Sequence, residues 1–155
     1  TEWKYLSNIE SLVASLSEVV ANPVLQKAEF FKRFVFNWII GNGDMHLKNW
    51  SVIEQAGLVR LAPAYDYLNT SILLEGEQSA LTLKDRKNDI DRPLLVDYLG
   101  KQICEMLPAV IVQTLDALEA VAWDELIQNS SLPNKLKKAY AEIVRERMKI
   151  LISHD

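Results

Sequence analysis

Phe36-Asn37-Trp38-Ile39-Ile40-Gly41-Asn42-Gly43-Asp44-Met45-His46-Leu47-Lys48-Asn49-Trp50-Ser51 passes from an apolar helical pattern into a glycine-broken polar loop, then into a β-type run. Upstream of it, Asn22 is a predicted N-cap and Pro23 a first helical residue. The helix they start carries Leu25, Phe30, Phe31, Phe34, Val35, Trp38 and Ile39 to a stop at Gly41. It is apolar over much of its circumference, so it is expected to be the central buried helix that holds the loop in place. Before it, Ser7-Asn8-Ile9-Glu10 has the form of a capping box. Ile9, Leu12, Val13, Leu16, Val19 and Val20 follow at helical spacing.

Downstream, Trp50–Ile53 and Leu58–Leu61 read as two short strands around Gln55-Ala56-Gly57, and Pro63 ends the second. Ser79–Leu83 reads as a further short strand, followed by a polar turn from Lys84 to Asp89. Beyond Asp91 the pattern is helical: Leu94, Leu95, Tyr98 and Leu99 lead to Gly100, and Ile103 to Leu126 continue at three-four spacing. Pro108 marks a kink or a fresh start. A last helix runs from about Pro133 to Ile152, its basic residues, Arg147 included, alternating with Glu142 and Glu146 as a solvated face. The four tryptophans are expected in core and rim packing.

With 155 residues, 49% of them apolar and 25% charged, the chain suits one domain with a sizeable core. A net charge of −4 lacks the basic field of a direct DNA binder. Cys104 is the single cysteine, which excludes an internal disulfide and a four-cysteine zinc site and favours a cytoplasmic setting. No apolar run is long enough to span a bilayer. No repeat, low-complexity tract or linker interrupts the chain. The first residue is Thr1 rather than Met, which reads as a piece of something longer.

The chemistry lies in the order Asp44, Asn49, Asp66. Phosphoryl transfer to a hydroxyl needs a carboxylate to orient the attacking group, and an amide oxygen and a second carboxylate to hold magnesium. Protein kinases place the first two on one loop as Asp-x-x-x-x-Asn and the third at a later strand end. Here the loop follows a buried helix, precedes a strand, and is answered by Asp66 in Pro63-Ala64-Tyr65-Asp66-Tyr67. Asp44 is then the hydroxyl-positioning base, and Asn49 and Asp66 are hard-oxygen ligands for magnesium beside the nucleotide phosphates. Lys48 either neutralises the transferred phosphoryl group or is a solvated loop lysine. Asp44-Met45-His46 has the form that opens two-metal phosphoesterase sites. Such sites need further histidines, and the only other one is His154. His46 is therefore expected to bond the loop backbone or Asp66. Lys84, Arg86 and Lys87 read as a solvated basic turn.

The stretch from Phe30 to Tyr67 resembles the C-terminal lobe of the HipA-like serine/threonine kinases, the toxins of bacterial toxin–antitoxin pairs. Three strings carry the likeness: Phe36-Asn37-Trp38-Ile39-Ile40-Gly41, then Asp44-x-His46-x-Lys48-Asn49-x-Ser51, then Leu61-Ala62-Pro63-Ala64-Tyr65-Asp66. The helical remainder after Asp91 is similar to the family's C-terminal region. The resemblance implies a mainly α fold with a small β-hairpin, a kinase-like lobe of HipA type spanning residues 1–155. Asp44 carries over as the catalytic aspartate, with Lys48 beside it. Asn49 and Asp66 carry over as the magnesium pair, with His46 in the same cofactor-binding string. ATP and magnesium are the implied cofactors.

The implied substrate is a serine or threonine of a protein, in the best-known case an aminoacyl-tRNA synthetase, whose modification stalls translation and produces persistence. The implied partner is a helix-turn-helix antitoxin, so any DNA contact is indirect and no membrane is involved. The chain departs from a complete kinase in having only five glycines, no glycine-rich phosphate loop and no Val-Ala-x-Lys strand. It is thus expected to be a lobe without its nucleotide-binding partner, and inactive alone. The alternative is a kinase-derived helical module that binds proteins without chemistry.

Overall fold

The computed structural model describes residues 7–73 and 76–153. Helix α1 (Ile9–Val19) is capped by Asn8, whose side-chain oxygen accepts the Ser11 N–H at 2.7 Å. The expected capping box is therefore displaced by one residue. Ser7 is not the cap, and Glu10 instead accepts the Lys84 N–H at 2.7 Å. Ile9, Val13 and Leu16 are buried, whereas Val19 faces solvent.

Helix α2 (Pro23–Ile39) starts where its cap and proline require: Asn22 accepts the Leu25 N–H at 3.2 Å. Its first turn projects into water through Val24 and Leu25, while Phe30, Phe31, Phe34, Val35, Trp38 and Ile39 are buried. The helix touches α1, the hairpin and three of the four helical elements after residue 93, so it is the central element the sequence implied. Gly41 stops it at φ +79°, a conformation that suits glycine.

Strands β1 (Val52–Gln55) and β2 (Leu58–Leu61) pair antiparallel, from Val52 opposite Leu61 to Gln55 opposite Leu58. The two-residue turn places both Ala56 and Gly57 at positive φ, 53° and 76°, which matches the right-handed twist of the strands. The first strand begins at Val52 rather than Trp50, because the Trp50 ring packs on Phe30 at 4.3 Å between centroids.

Ser79–Leu83 is not a strand. It makes one parallel bridge, Asn8 to Thr82, and Leu83 closes a tight turn with Arg86. Ala80, Leu81 and Leu83 are all buried, so no solvated face alternates with a core face and there is no neighbour along which to extend pairing.

Asp91 caps the next helix, accepting the Leu94 N–H at 2.8 Å. Residues Leu94–Ile103 wind as a π-helix that passes through Gly100 rather than ending there, and Cys104 N–H bonds five residues back to Leu99. Gly100 sits where a Cβ would lie 2.9 Å from Ile111 and 3.1 Å from Phe31, so its bareness lets this helix close onto α2 and the next helix. Pro108 is a fresh start, the first residue of α3 (Pro108–Glu119). A break at residues 120–122 separates α3 from α4 (Trp123–Gln128), and α5 (Asn134–Ile152) closes the fold.

Arg147 corrects the solvated-face expectation for α5. Its guanidinium is buried, donates to the Trp38 carbonyl, and lies 5.5 Å over the Trp38 ring. Burial lowers its pKa to about 10, which leaves it cationic at neutral pH. Of the tryptophans, Trp38 is core, Trp50 and Trp123 pack against it, and Trp3 lies outside the described residues. Among the described residues no helix is long and apolar enough to cross a membrane.

Cys104, the residue that follows the π-helix, is buried, and burial pushes its thiol from the ordinary 9.0 to about 12, with Lys27 opposing and Glu105 assisting. An unfolded chain loses this proton near the ordinary value while the folded chain keeps it, so stability falls as pH rises through that window. Stability is expected to drop by about 1 kcal/mol between about pH 9 and pH 10, and Cys104→Ala to abolish that part of the slope in urea titrations. Native protein at about pH 8 is expected to resist iodoacetamide and to react once unfolded.

Candidate functional site

The site is built at the C-terminal end of α2. Past Ile39 the chain turns left-handed at Gly41, and the Asn42 N–H bonds back to the Asn37 carbonyl at 2.9 Å. Asp44 follows on the loop with its side chain exposed, and its carbonyl accepts the His46 N–H at 2.9 Å. A short 3₁₀ turn, Leu47–Asn49, then brings Asn49 inward while Lys48 stays exposed. The hairpin returns the chain to Asp66, which holds φ +60°, a left-handed conformation uncommon outside glycine, asparagine and aspartate. Such local strain persists only where surrounding contacts determine it.

Those contacts are specific. The Asn49 side-chain N–H donates to the Asp66 carboxylate at 2.8 Å. Its amide oxygen is thereby turned away from the carboxylate, so the pair presents one amide oxygen and one carboxylate. Hard oxygens of this kind fit magnesium better than zinc. Among the described residues no group of three or more His, Cys, Asp or Glu forms a metal cluster. The Tyr65 hydroxyl donates to the Lys48 carbonyl at 2.8 Å and lies 3.2 Å from the Ser51 hydroxyl, which pins the segment before Asp66 against the loop. Asp66 itself lies in this irregular segment, past the expected strand end, since β2 stops at Leu61.

Asn42 is the link that sequence reasoning missed. Its side-chain oxygen accepts the Asp44 N–H at 3.2 Å, and its N–H₂ donates to the Asp66 carbonyl at 3.0 Å and to Asn37 Oδ1 at 2.8 Å. Asn37 in turn donates to the Arg33 carbonyl at 2.9 Å. Both amides are buried, so each unmade bond would leave a desolvated polar group. Gly41-Asn42-Gly43 looks like ordinary turn composition. The available signal was Asn37, a polar residue in a buried apolar stripe.

The structure therefore joins Asn49 to Asp66 by their side chains, and joins Asp44 to Asp66 through Asn42 by their backbones. His46 is buried on the same loop. The basic turn stands apart and is answered locally: Lys87 meets Glu77 at 2.8 Å, Arg86 meets Asp91 at 3.4 Å, and Lys84 lies 5.0 Å from the Tyr98 ring centre. Tyr67, next to Asp66, has its phenol pKa raised by burial, against the opposing charge of Arg33.

Comparisons with known proteins agree on the family and the fold. The model of the HipA-like C-terminal domain family matches residues 1–149. Y4dM of Sinorhizobium fredii, described as a candidate kinase, is 56% identical over 54 residues, which are 34% of this chain and 13% of that protein. A similarly described protein of Haemophilus influenzae is 32% identical over 63 residues, 40% of this chain and 18% of the relative. A chain from the complex of the Shewanella oneidensis MR-1 toxin–antitoxin proteins HipA and HipB with operator DNA shares the fold. Its TM-score is 0.64 at 18% identity, over 90% of this chain and 34% of that chain. The matched stretches are thus a minor part of each of these longer proteins.

Proposed function

Since the chain belongs to the HipA-like C-terminal domain family, we propose that it is the catalytic lobe of an ATP- and magnesium-dependent protein serine/threonine kinase. The observation that carries this reading is the Asn49–Asp66 hydrogen bond of 2.8 Å, with the Asp44 loop tied to the same segment through Asn42. In this role Asn49 and Asp66 hold magnesium, which when bound supplies charge neutralisation at the nucleotide phosphates. Asp44, exposed at the loop edge, orients the substrate hydroxyl and takes its proton. Lys48, exposed four residues on, stabilises negative charge on the group in transfer. A module that only binds proteins has no physical need for an amide and a carboxylate locked together in this way.

The relatives named as candidate kinases support the reaction class. The fold shared with the HipA–HipB–operator complex supports a toxin–antitoxin setting. In such a setting the proposed partner of this chain is a helix-turn-helix antitoxin, with DNA met through it, and the proposed substrate is a cytoplasmic protein such as an aminoacyl-tRNA synthetase.

Two measurements test this. The full-length protein with γ-labelled ATP is expected to label itself or a protein substrate, and chelation of magnesium is expected to stop it. The 155-residue chain alone carries no glycine-rich loop to cover the phosphates, so isothermal titration is expected to show no saturation with magnesium-ATP. Micromolar affinity for this chain would overturn that division of labour, and no labelling by the full-length protein would overturn the kinase reading.

A further inference from the structure

The segment just past Asp66 grips the Asp44 loop from the far side. The Gly41 carbonyl receives the N–H groups of Thr70 and Ser71, each at 3.1 Å, and their hydroxyls at 3.3 Å and 2.9 Å. The Thr70 hydroxyl also accepts the Gly43 N–H at 2.9 Å, so one oxygen bridges the two glycines that flank Asn42. Both glycines are bare where the segment presses on them. A Cβ on Gly41 would lie 2.6 Å from Asn69 Oδ1, and one on Gly43 would run into the Glu77 carbonyl. Asn69 holds its own segment by accepting the Ile72 N–H at 3.1 Å. From the other side, Arg147 reaches Ser71 Oγ at 3.4 Å while donating to the Trp38 carbonyl.

We propose that Thr70 is a positioning residue for phosphoryl transfer, its hydroxyl holding the Gly41–Gly43 bridge so that Asp44 stays aligned with the Asn49–Asp66 pair. This rests on the kinase reading above. Asp44 follows Gly43 directly on the loop, so the backbone of residues 41–44 sets where its side chain starts from. Thr70 meets that backbone at two points, one donated and one accepted, a combination that a methyl group cannot supply. Serine can supply both bonds, and valine matches the shape without either. A small displacement of a reacting group lowers turnover steeply while leaving substrate affinity in place.

The test compares Thr70→Val and Thr70→Ser in the full-length protein. Steady-state kinetics of phosphoryl transfer are combined with thermal melting and amide hydrogen exchange. Thr70→Val is expected to lower kcat by about 10- to 100-fold with KM for ATP unchanged, and Thr70→Ser to restore it. Exchange at the Gly43 amide is expected to speed up in Thr70→Val alone. A kcat within threefold of wild type in Thr70→Val overturns the proposal. So does a loss of kcat that tracks the melting temperature and is not rescued by serine. If the wild-type protein transfers no phosphate, the kinase reading falls by itself. The bridge is then judged by exchange: faster Gly43 exchange that serine reverses upholds it as the loop's anchor, and unchanged exchange overturns it.

Discussion

Asp66→Asn in the full-length protein is expected to lower phosphoryl transfer by about 10³-fold or more, equivalent to roughly 4 kcal/mol of transition-state stabilisation. Asparagine suits this position for two reasons. It tolerates the left-handed φ of +60°, where alanine would add backbone strain, and its side-chain oxygen can still accept from Asn49 Nδ2. The substitution therefore removes one negative charge and little else, and because Asp66 is exposed the fold should keep its stability. Asp44→Asn removes the proton acceptor in the same conservative manner, with an expected loss of about 10² to 10⁴-fold. The double variant should fall well short of the product of the two losses, because groups that act as a unit do not add. Single-turnover transfer from labelled ATP measures each value. Activity of Asp66→Asn within tenfold of wild type would remove the metal-binding role assigned to this carboxylate.

Trp38→Ala is expected to destabilise the domain by about 3–5 kcal/mol, read as a lower denaturant midpoint at unchanged slope. The corresponding fall in melting temperature is about 10 °C or more for a domain of this size. The ring is 2% exposed and lies in the last turn of α2, one side against the core and one face beneath the Arg147 guanidinium. Removing it leaves a cavity and also takes the aromatic face from a cation that is already desolvated. Arg147→Met tests the second part. It keeps the length and apolar stem while deleting the charge that donates to the Trp38 carbonyl and reaches Ser71. A double-mutant cycle between the two is expected to give a coupling of about 1–2 kcal/mol. A coupling near zero would mean that the cation over the Trp38 ring adds nothing to the docking of α5 on α2.

The likeness to the HipA-like family rested on strings that hold Asp44, His46, Lys48, Asn49 and Asp66 in order, and a family match over residues 1–149 bears out the membership. The roles of those residues remain the subject of the kinetic tests above. Elements whose ends are set by near neighbours were legible: the start of α2 at Asn22-Pro23, its stop at Gly41, the hairpin turn at Ala56-Gly57, and the fresh helix at Pro108. The Ser79–Leu83 strand was misread because a buried apolar run looks the same whether it pairs with a neighbour or merely threads the core. Arg147 was misread because a basic residue among alternating charges gives no sign of its partner 109 residues away.

By itself, the order of residues determined where α2 begins and ends and that Asp44, Asn49 and Asp66 succeed one another across a loop and a hairpin, since caps, prolines and positive φ act over a few residues. Tertiary structure alone decided that Asn42 spans 24 residues to Asp66, that Thr70 reaches back 29 residues to Gly41, and that Arg147 is buried over Trp38. Such bonds come from desolvated polar groups that must find partners once the core closes, and that requirement leaves no periodic trace along the chain.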